Sequence, residues 1–368
     1  MKILQIINSL GTGGAEKLLL DTIPFYVKAG IEMDVLVLWD NDHQFLNRLK
    51  QLRCCKVYVL KDSTNSKDIY NPLHILKIKK ILKYYDIAHV HLFPAQYFVP
   101  LANLLNGNKT KLIFTEHNTS NNRIQNSIFR KIDSFFYKRF CKQICISEEI
   151  KEIFYNTYKL PENFYSTIKN GVNLNTINEA KAINRKEINS CINVDDKLLL
   201  QISAFREQKD QDTVIRALLD LPINFKLILV GDGIRRIVCE ELAKELGVAD
   251  RVIFLGQRMD VPQIMKTVDF IILSSKYEGL SLASIEGLAS GKPFLATDVP
   301  GLTEIVRGAG VLFEYQNEKH LVEEILKLDK DNSYTRIVVE NCLERAKEYD
   351  INLMINKHIN LYREVYEN

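Results

Sequence analysis

Residues 2–39, KILQIINSLGTGGAEKLLLDTIPFYVKAGIEMDVLVLW, decide the fold. Lys2 to Asn8 reads as a buried strand and runs directly into Gly11-Thr12-Gly13-Gly14. Ala15 to Lys28 then has helical spacing, Gly30 stops it, and Asp34 to Trp39 reads as a second strand. Strand, glycine turn, helix and strand make a βαβ unit, which belongs in a parallel sheet covered by helices on both faces. Further apolar segments continue the rhythm at Val57 to Leu60, Ile87 to His91, Leu112 to Thr115 and Ile144 to Ser147.

The pattern restarts at Lys197 to Ala204. A helix over Asp210 to Leu219 and strands at Lys226 to Val230, Arg251 to Leu255, Val268 to Leu273 and Lys292 to Ala296 follow. Leu160 to Ser190, with Pro161 and Asn170-Gly171 and little periodicity, reads as a linker with an irregular entry into a second domain. Asn352 to Tyr366 has a helical apolar pattern with no strand after it, and is expected to cross back onto the first domain. The expected architecture is therefore α/β, with two Rossmann-like domains facing across a cleft. Their expected bounds are 1–170 plus 352–368, and 171–351.

Composition narrows the function. A chain of 368 residues with 49 basic and 46 acidic groups gives no reason to expect a nucleic-acid partner. Residues 1–180 carry 24 basic and 16 acidic groups, whereas 181–368 carry 25 and 30, so the first half is a cationic lobe. No apolar run approaches the roughly 18 residues of a membrane span. The start is too short an apolar stretch for an export signal. Seven scattered cysteines without a CxxC pair read as reduced thiols, and the expected location is cytoplasmic.

In open α/β sheets ligands collect at the carboxyl ends of strands. Gly11-Thr12-Gly13-Gly14 would let amides approach a phosphate at a helix start, or would simply make a tight turn. His91 and His117 each end a strand. His117 lies in a small, polar loop and has the better functional case, whereas His91 reads as structural. Asp40-Asn41-Asp42 has the spelling of a metal-binding Asp-x-Asp, but its charged loop reads better as a solvated turn. Tyr277 to Pro293 is the richest stretch: a glycine turn, Ser281 as a helix N-cap, a short helix, and Gly291 as its stop. Glu278 precedes that helix and Glu286 lies inside it among small and apolar residues, where a buried carboxylate needs a partner.

Glu278-x7-Glu286, with Gly291-Lys292-Pro293, Pro300-Gly301 and Glu304-Ile305-Val306, resembles the signature of the retaining GT-B glycosyltransferases of family 4, the glycosyl transferases group 1 set. Supporting matches run in order along the chain: Gly13-Gly14-Ala15-Glu16, Asn170-Gly171-Val172-Asn173, Gln208-Lys209-Asp210, Gly231-Asp232-Gly233 and Phe254-Leu255-Gly256. The resemblance implies a nucleotide diphosphate sugar, UDP- or GDP-linked, bound mainly by the second domain. It implies a glycan or lipid-linked glycan acceptor on the first domain, and no resident cofactor or metal. It places Glu278 on the donor sugar, Glu286 on the ribose, Lys209 on the diphosphate, and Gln257, Arg258 and Met259 near the base. Gly13, Gly14, Gly231, Gly279, Leu280, Ser281 and Leu282 complete the donor contacts, and His117 corresponds to the histidine near the sugar. The family's usual Gly-Arg before the lysine is Ser203-Ala204 here, with Arg206 as the substitute arginine. A nucleotide-sugar epimerase of the same fold and a non-catalytic two-lobed binding protein are the competing readings.

Residues 123–142 carry Arg123, Arg130, Lys131, Lys138, Arg139 and Lys142 against one acid, Asp133, interleaved with Ile124, Ile128, Phe129, Ile132, Phe135, Phe136 and Phe140. At helical spacing this sets an apolar stripe beside a cationic face. It reads equally as a peripheral anchor on an anionic membrane or as an ordinary core-packed helix.

Overall fold

The computed structural model describes residues 1–117 and 122–367. The side chain of Arg123, counted above in the basic stretch, lies outside the described residues. The chain forms two compact units, Met1–Gly171 with Ile351–Asn368, and Val172–Asp350.

The first unit is built on seven parallel strands: β1 (Lys2–Ile7), β2 (Glu32–Val37), β3 (Val57–Val59), β4 (Ile87–His91), β5 (Lys111–Glu116), β6 (Lys142–Cys145) and β7 (Tyr165–Thr167). Their order is β3-β2-β1-β4-β5-β6-β7. Ile3 lies opposite both Met33 of β2 and Ile87 of β4, so β1 is an interior strand, and the order turns between it and β4. Ile3, Leu4, Ile6 and Ile7 are all fully buried, because helices cover both faces of the sheet and leave no face for polar alternation.

The helix Ile351–Glu367 returns to this unit, as the sequence suggests. Its Tyr362 ring packs 5.9 Å from Tyr26 of the helix Gly14–Lys28. Lys111 Nζ donates to the carbonyls of Val365 and Tyr366, at 2.8 and 3.2 Å, which fixes the far end.

β7 falls inside the stretch read as linker. It pairs with β6, Gln143 opposite Tyr165, and being only three residues long it gives no alternation to detect. The strand Val311–Phe313 of the second unit is equally short.

The second unit has six parallel strands: β8 (Lys197–Ile202), β9 (Phe225–Val230), β10 (Val252–Gly256), β11 (Phe270–Leu273), β12 (Phe294–Thr297) and β13 (Val311–Phe313). The order is β10-β9-β8-β11-β12-β13. Each sheet therefore has one point where the order reverses, between β1 and β4 in the first unit and between β8 and β11 in the second. Chain connections diverge there and leave a crevice at the carboxyl ends of the two strands, so these ends are where a ligand is accommodated.

Candidate active site

At the switch point of the second unit, the loops after β8 and β11 are tied together. Beyond β8 the chain passes through Ser203 to Arg206 into a short 3₁₀ turn, Glu207–Lys209, and then the helix Gln211–Ala217. Gln201 Nε2 donates to the Lys209 carbonyl at 2.8 Å, and Ser274 Oγ donates to the Asp210 carbonyl at 2.7 Å. Lys276 N donates to the Gln208 carbonyl at 2.8 Å, and Gln208 Nε2 donates to that of Tyr277 at the same distance. Asp210 sits in the left-handed region (φ 42°), and its carboxylate accepts from Thr213 Oγ1 at 2.7 Å. Burial pushes that carboxyl up to about 6.

This frame sets Lys209 Nζ in an ion pair with Glu278 Oε1, which also accepts from Ser275 Oγ at 2.6 Å. The carboxylate is only 6% exposed, and the lysine is mostly covered. Ser275 is a residue that sequence reasoning missed. Its signal was its place two residues past the end of β11, three residues before the carboxylate it orients.

Two glycines permit the close approach of neighbouring loops. Gly301 has φ 82°, and a Cβ there would lie 2.0 Å from the Glu278 carbonyl. The Glu278 amide donates to the Pro300 carbonyl at 3.2 Å, so the turn carrying the carboxylate rests on Pro300-Gly301. Gly231 has φ 134°, a Cβ there would meet the Ser203 carbonyl at 2.1 Å, and its amide donates to Gly256 O at 2.8 Å. Packing of the end of β9 against the β8 loop therefore accounts for Gly231.

Ser281 occupies the N-cap of the helix Leu282–Ala289, with Gly279 and buried Leu280 in the turn before it and buried Leu282 as the first helical residue. Its hydroxyl makes no cap, which corrects the side-chain part of that expectation. Instead, Ser284 Oγ donates to the Ser281 carbonyl at 2.7 Å. The amides that open the helix are thus not capped by that side chain, and their partial positive charge suits an anion. Glu286 is buried on the same helix, 7% exposed. Arg206 is exposed at the start of the 3₁₀ turn. After β10, Gln257 and Met259 are exposed, and Arg258 holds Asp260 through Nε (2.7 Å) and Nη2 (2.6 Å).

In the first unit, Gly13 caps the helix Gly14–Lys28 through its extended backbone, and a Cβ at Gly14 would meet open space. His117 follows β5, and its Nε2 lies 3.0 Å from His91 Nδ1. His117, read as functional, and His91, read as structural, are therefore direct neighbours in space. Burial pushes His117 down to about 4, and His91 well below the ordinary imidazole range, with the neighbouring His117 adding to the effect. Asp40 is buried and its Oδ1 accepts from His43 Nδ1 at 2.9 Å and from the His43 amide at 3.1 Å, while Asp42 accepts from Asn47 Nδ2 at 2.7 Å. Both carboxylates serve this turn. Among the described residues no group of three or more His, Cys, Asp or Glu is placed to hold a metal ion.

The family model described as glycosyl transferases group 1 matches residues 183–348, and that described as Glycosyltransferase Family 4 matches residues 12–176. An uncharacterized glycosyltransferase of Methanocaldococcus jannaschii is 26% identical over 235 residues, 61% of this chain and 60% of that protein. The N-acetylgalactosamine-N,N'-diacetylbacillosaminyl-diphospho-undecaprenol 4-alpha-N-acetylgalactosaminyltransferase of Campylobacter jejuni is 24% identical over 94% of each chain. Among solved structures, Anabaena HepE in complex with UDP and glucose superposes with a TM-score of 0.83 at 23% identity, covering 99% of both chains. With two parallel sheets of this order and two family models that together span most of its length, the chain belongs to the group 1 glycosyltransferases of GT-B fold.

Proposed function

We propose that this glycosyltransferase moves a hexose-type sugar from a nucleotide diphosphate donor to a lipid-linked glycan, with retention and without a metal ion. The observation that carries the reading is the Lys209–Glu278 pair at the switch point of the second unit. A cation set against a carboxylate at a strand end is equipped for a diphosphate on one side and sugar hydroxyls on the other. The amides opening the helix Leu282–Ala289 add partial positive charge, so the leaving diphosphate is stabilised by fixed donors. Glu286 takes the ribose, Arg206 adds charge in place of the absent family arginine, and Gln257 and Met259 lie by the base. The first unit supplies the acceptor surface and His117. No side chain is assigned as a nucleophile; a leaving phosphate oxygen that deprotonates the acceptor hydroxyl on the same face gives retention.

UDP-hexoses are the first donors to test, because the HepE structure holds UDP and glucose. The undecaprenol-linked substrate named for the Campylobacter enzyme makes a diphosphoprenyl glycan the first acceptor. Transfer with α-configured product in the presence of EDTA supports the reading. Release of an epimerised sugar would identify the epimerase, and tight donor binding with no product would identify a binding protein. Activity abolished by EDTA and restored by manganese would overturn metal independence.

Two carboxylates at one site should separate in their effects. Glu286→Ala is expected to weaken nucleotide binding by roughly 10- to 150-fold, the value of about 1.5–3 kcal/mol for hydrogen bonds to a charged group. Glu278→Ala should leave UDP affinity near wild type and slow transfer. Calorimetry with UDP alone checks this, and the reverse order refutes the assignment.

The acceptor reading requires a membrane, and the helix Ser127–Tyr137 supports one. Ile128 (68% exposed), Phe129, Ile132 and Phe135 lie exposed along it, with Arg130, Lys131 and Lys138 also exposed. The single acid, Asp133, is fully buried and accepts hydrogen bonds from Tyr97 Oη, Gln96 Nε2 (3.3 Å) and Tyr158 Oη (3.2 Å), so it does not offset the cationic face. Phe136 stacks on Tyr97, centroids 4.4 Å apart, and Phe140 is buried, so of the four phenylalanines these two turn toward the protein. No helix among the described residues is long and apolar enough to cross a membrane, and the chain is proposed to sit peripherally on the cytoplasmic face. Each Lys or Arg near an anionic surface contributes about 1 kcal/mol, screened by salt. Sedimentation with anionic but not neutral vesicles, reversed by high salt and lost in Arg130→Glu with Lys138→Glu, is expected. Wild-type protein left in the supernatant with anionic vesicles at low salt would end the proposal.

A further inference from the structure

The carboxyl halves of β1 and β4 carry buried polar side chains that the donor chemistry does not use. Gln5, His89 and His91 are all buried beneath the helix Ile351–Glu367. Gln5 Nε2 lies 3.0 Å from Tyr362 Oη and 3.5 Å from Met33 Sδ. Gln5 Oε1 lies 2.8 Å from His91 Nε2, and His91 Nδ1 lies 3.0 Å from His117 Nε2. On the other branch, His89 Nδ1 is 2.7 Å from Tyr362 Oη, and His89 Nε2 is 2.6 Å from Thr115 Oγ1.

Hydrogen-bond chemistry gives this chain one direction. A thioether sulfur accepts and cannot donate, so the amide nitrogen of Gln5 belongs on the Met33 side and its oxygen faces His91. An amide oxygen only accepts, so His91 Nε2 carries the proton. A neutral imidazole has a single N–H, which leaves His91 Nδ1 as a lone pair. That lone pair can sit 3.0 Å from His117 Nε2 only if the latter carries a proton; otherwise two lone pairs would oppose each other in a buried site. The second branch agrees: Tyr362 Oη accepts from Gln5 and donates to His89 Nδ1, and His89 Nε2–H donates to Thr115. Burial lowers both His89 and His91 well below the ordinary range, in keeping with neutral rings throughout.

We propose that Gln5 and His91 are positioning residues that lock His117 as the Nε2–H tautomer, so that its Nδ1 is presented as an acceptor for a hydroxyl and not as a donor to phosphate. The functional half of this inference rests on the reading of His117 as a residue of the transfer site; the tautomer itself does not. Which ring nitrogen is protonated is set by the bond the other nitrogen makes, and here that setting originates two side chains away. His91 is thus a working part of the site, although it touches no substrate.

The test is a long-range ¹H–¹⁵N correlation spectrum of the full-length protein labelled at histidine nitrogen, near neutral pH, with His117 assigned by its loss in His117→Gln. The wild type is expected to show His117 as the Nε2–H tautomer. His91→Leu and Gln5→Leu should give an averaged His117 signal and slow transfer by roughly 10- to 100-fold, the scale on which orienting partners of reactive imidazoles act. His91→Asn, whose side-chain oxygen can take the place of Nδ1, should restore both the signal and most of the rate. A wild-type His117 protonated on Nδ1, or a signal unchanged in folded His91→Leu, overturns the inference. The wild-type spectrum decides the tautomer even if neither leucine variant folds. A tautomer that shifts as expected with transfer untouched would instead overturn the assignment of His117 to the transfer site.

Discussion

A Lys209→Met protein is expected to turn over its donor about 10²- to 10³-fold more slowly than wild type, the loss of roughly 2.7–4 kcal/mol that follows removal of one fixed donor from a developing negative charge. The substitution has a second effect that the ion pair makes predictable. Glu278 is 6% exposed, and among the described residues only Ser275 Oγ remains to its side chain once the lysine is gone. Stranding a buried carboxylate costs about 3–5 kcal/mol of stability. A slow enzyme could then be a partly unfolded one. Lys209→Met combined with Glu278→Gln separates the two effects, because a neutral amide can still accept from Ser275 and needs no counter-charge. The double variant should melt near wild type and remain slow. Wild-type turnover by a folded Lys209→Met protein would remove Lys209 from the chemistry, and a double variant as unstable as the single one would show that the pair is not what the carboxylate depends on.

Acidification from pH 6.5 toward 4 should destabilise the first unit selectively. His89, His91, His117 and His358 are held neutral there by burial, with His358 pushed down to about 3 and His117 to about 4. Unfolded, each would take up a proton near 6.5, so below that pH the unfolded state binds more protons than the native state and stability falls as pH falls. His358 alone, 7% exposed, corresponds to roughly 5 kcal/mol across its whole window, at about 1.4 kcal/mol per pH unit. Tyr26 and Tyr362, in the same cluster, are raised above their ordinary value by burial and stay protonated throughout. In the second unit Asp210 has the opposite sign: its carboxyl is raised to about 6, so the native state takes up a proton first and gains stability as pH falls between 6 and the unfolded value. Hydrogen exchange read by peptide at pH 7 and pH 5 should show protection lost over β1, β4 and β5 well before β8 and β11. Uniform loss across both units, or none, would contradict the buried neutral imidazoles.

Much of the fold was legible because parallel strands buried on both faces are continuous apolar runs that alternate with helices, some of which stop at a glycine such as Gly30 or Gly291. Three residues carry no period, so β3 was legible only through its apolar run Val57 to Leu60, whereas β7 (Tyr165–Thr167) and β13 (Val311–Phe313) were not marked off from their surroundings. Lys209 and Glu278 could be placed in loops after strands. Their contact could not be read, since β8 and β11 are neighbours only through the reversal of strand order. Ser281 sits where a cap belongs, yet whether its hydroxyl turns inward depends on packing that no local pattern encodes. The histidine relay was hidden for another reason: Gln5 and Tyr362 are 357 positions apart. One local signal was available. His89 and His91 are two apart on one strand and so must point to the same face, which is a costly place for two imidazoles unless they are partnered.

The crossing helix also bears on the order in which the chain can be completed as it is made. Val172–Asp350 is contiguous and holds every strand of its own sheet, so it can close as soon as it has been synthesised. The first unit cannot, because Tyr362 and His358, which satisfy Gln5, His89 and Tyr26, are encoded beyond the whole of that insert. At about 5–20 residues per second, a ribosome needs roughly 10 to 40 seconds to reach them. During that interval the helix Gly14–Lys28 lacks its cover and the imidazoles of β4 lack their phenol. The half of the molecule that is translated first is therefore the half that is finished last, and a nascent-chain chaperone would find its exposed surface there.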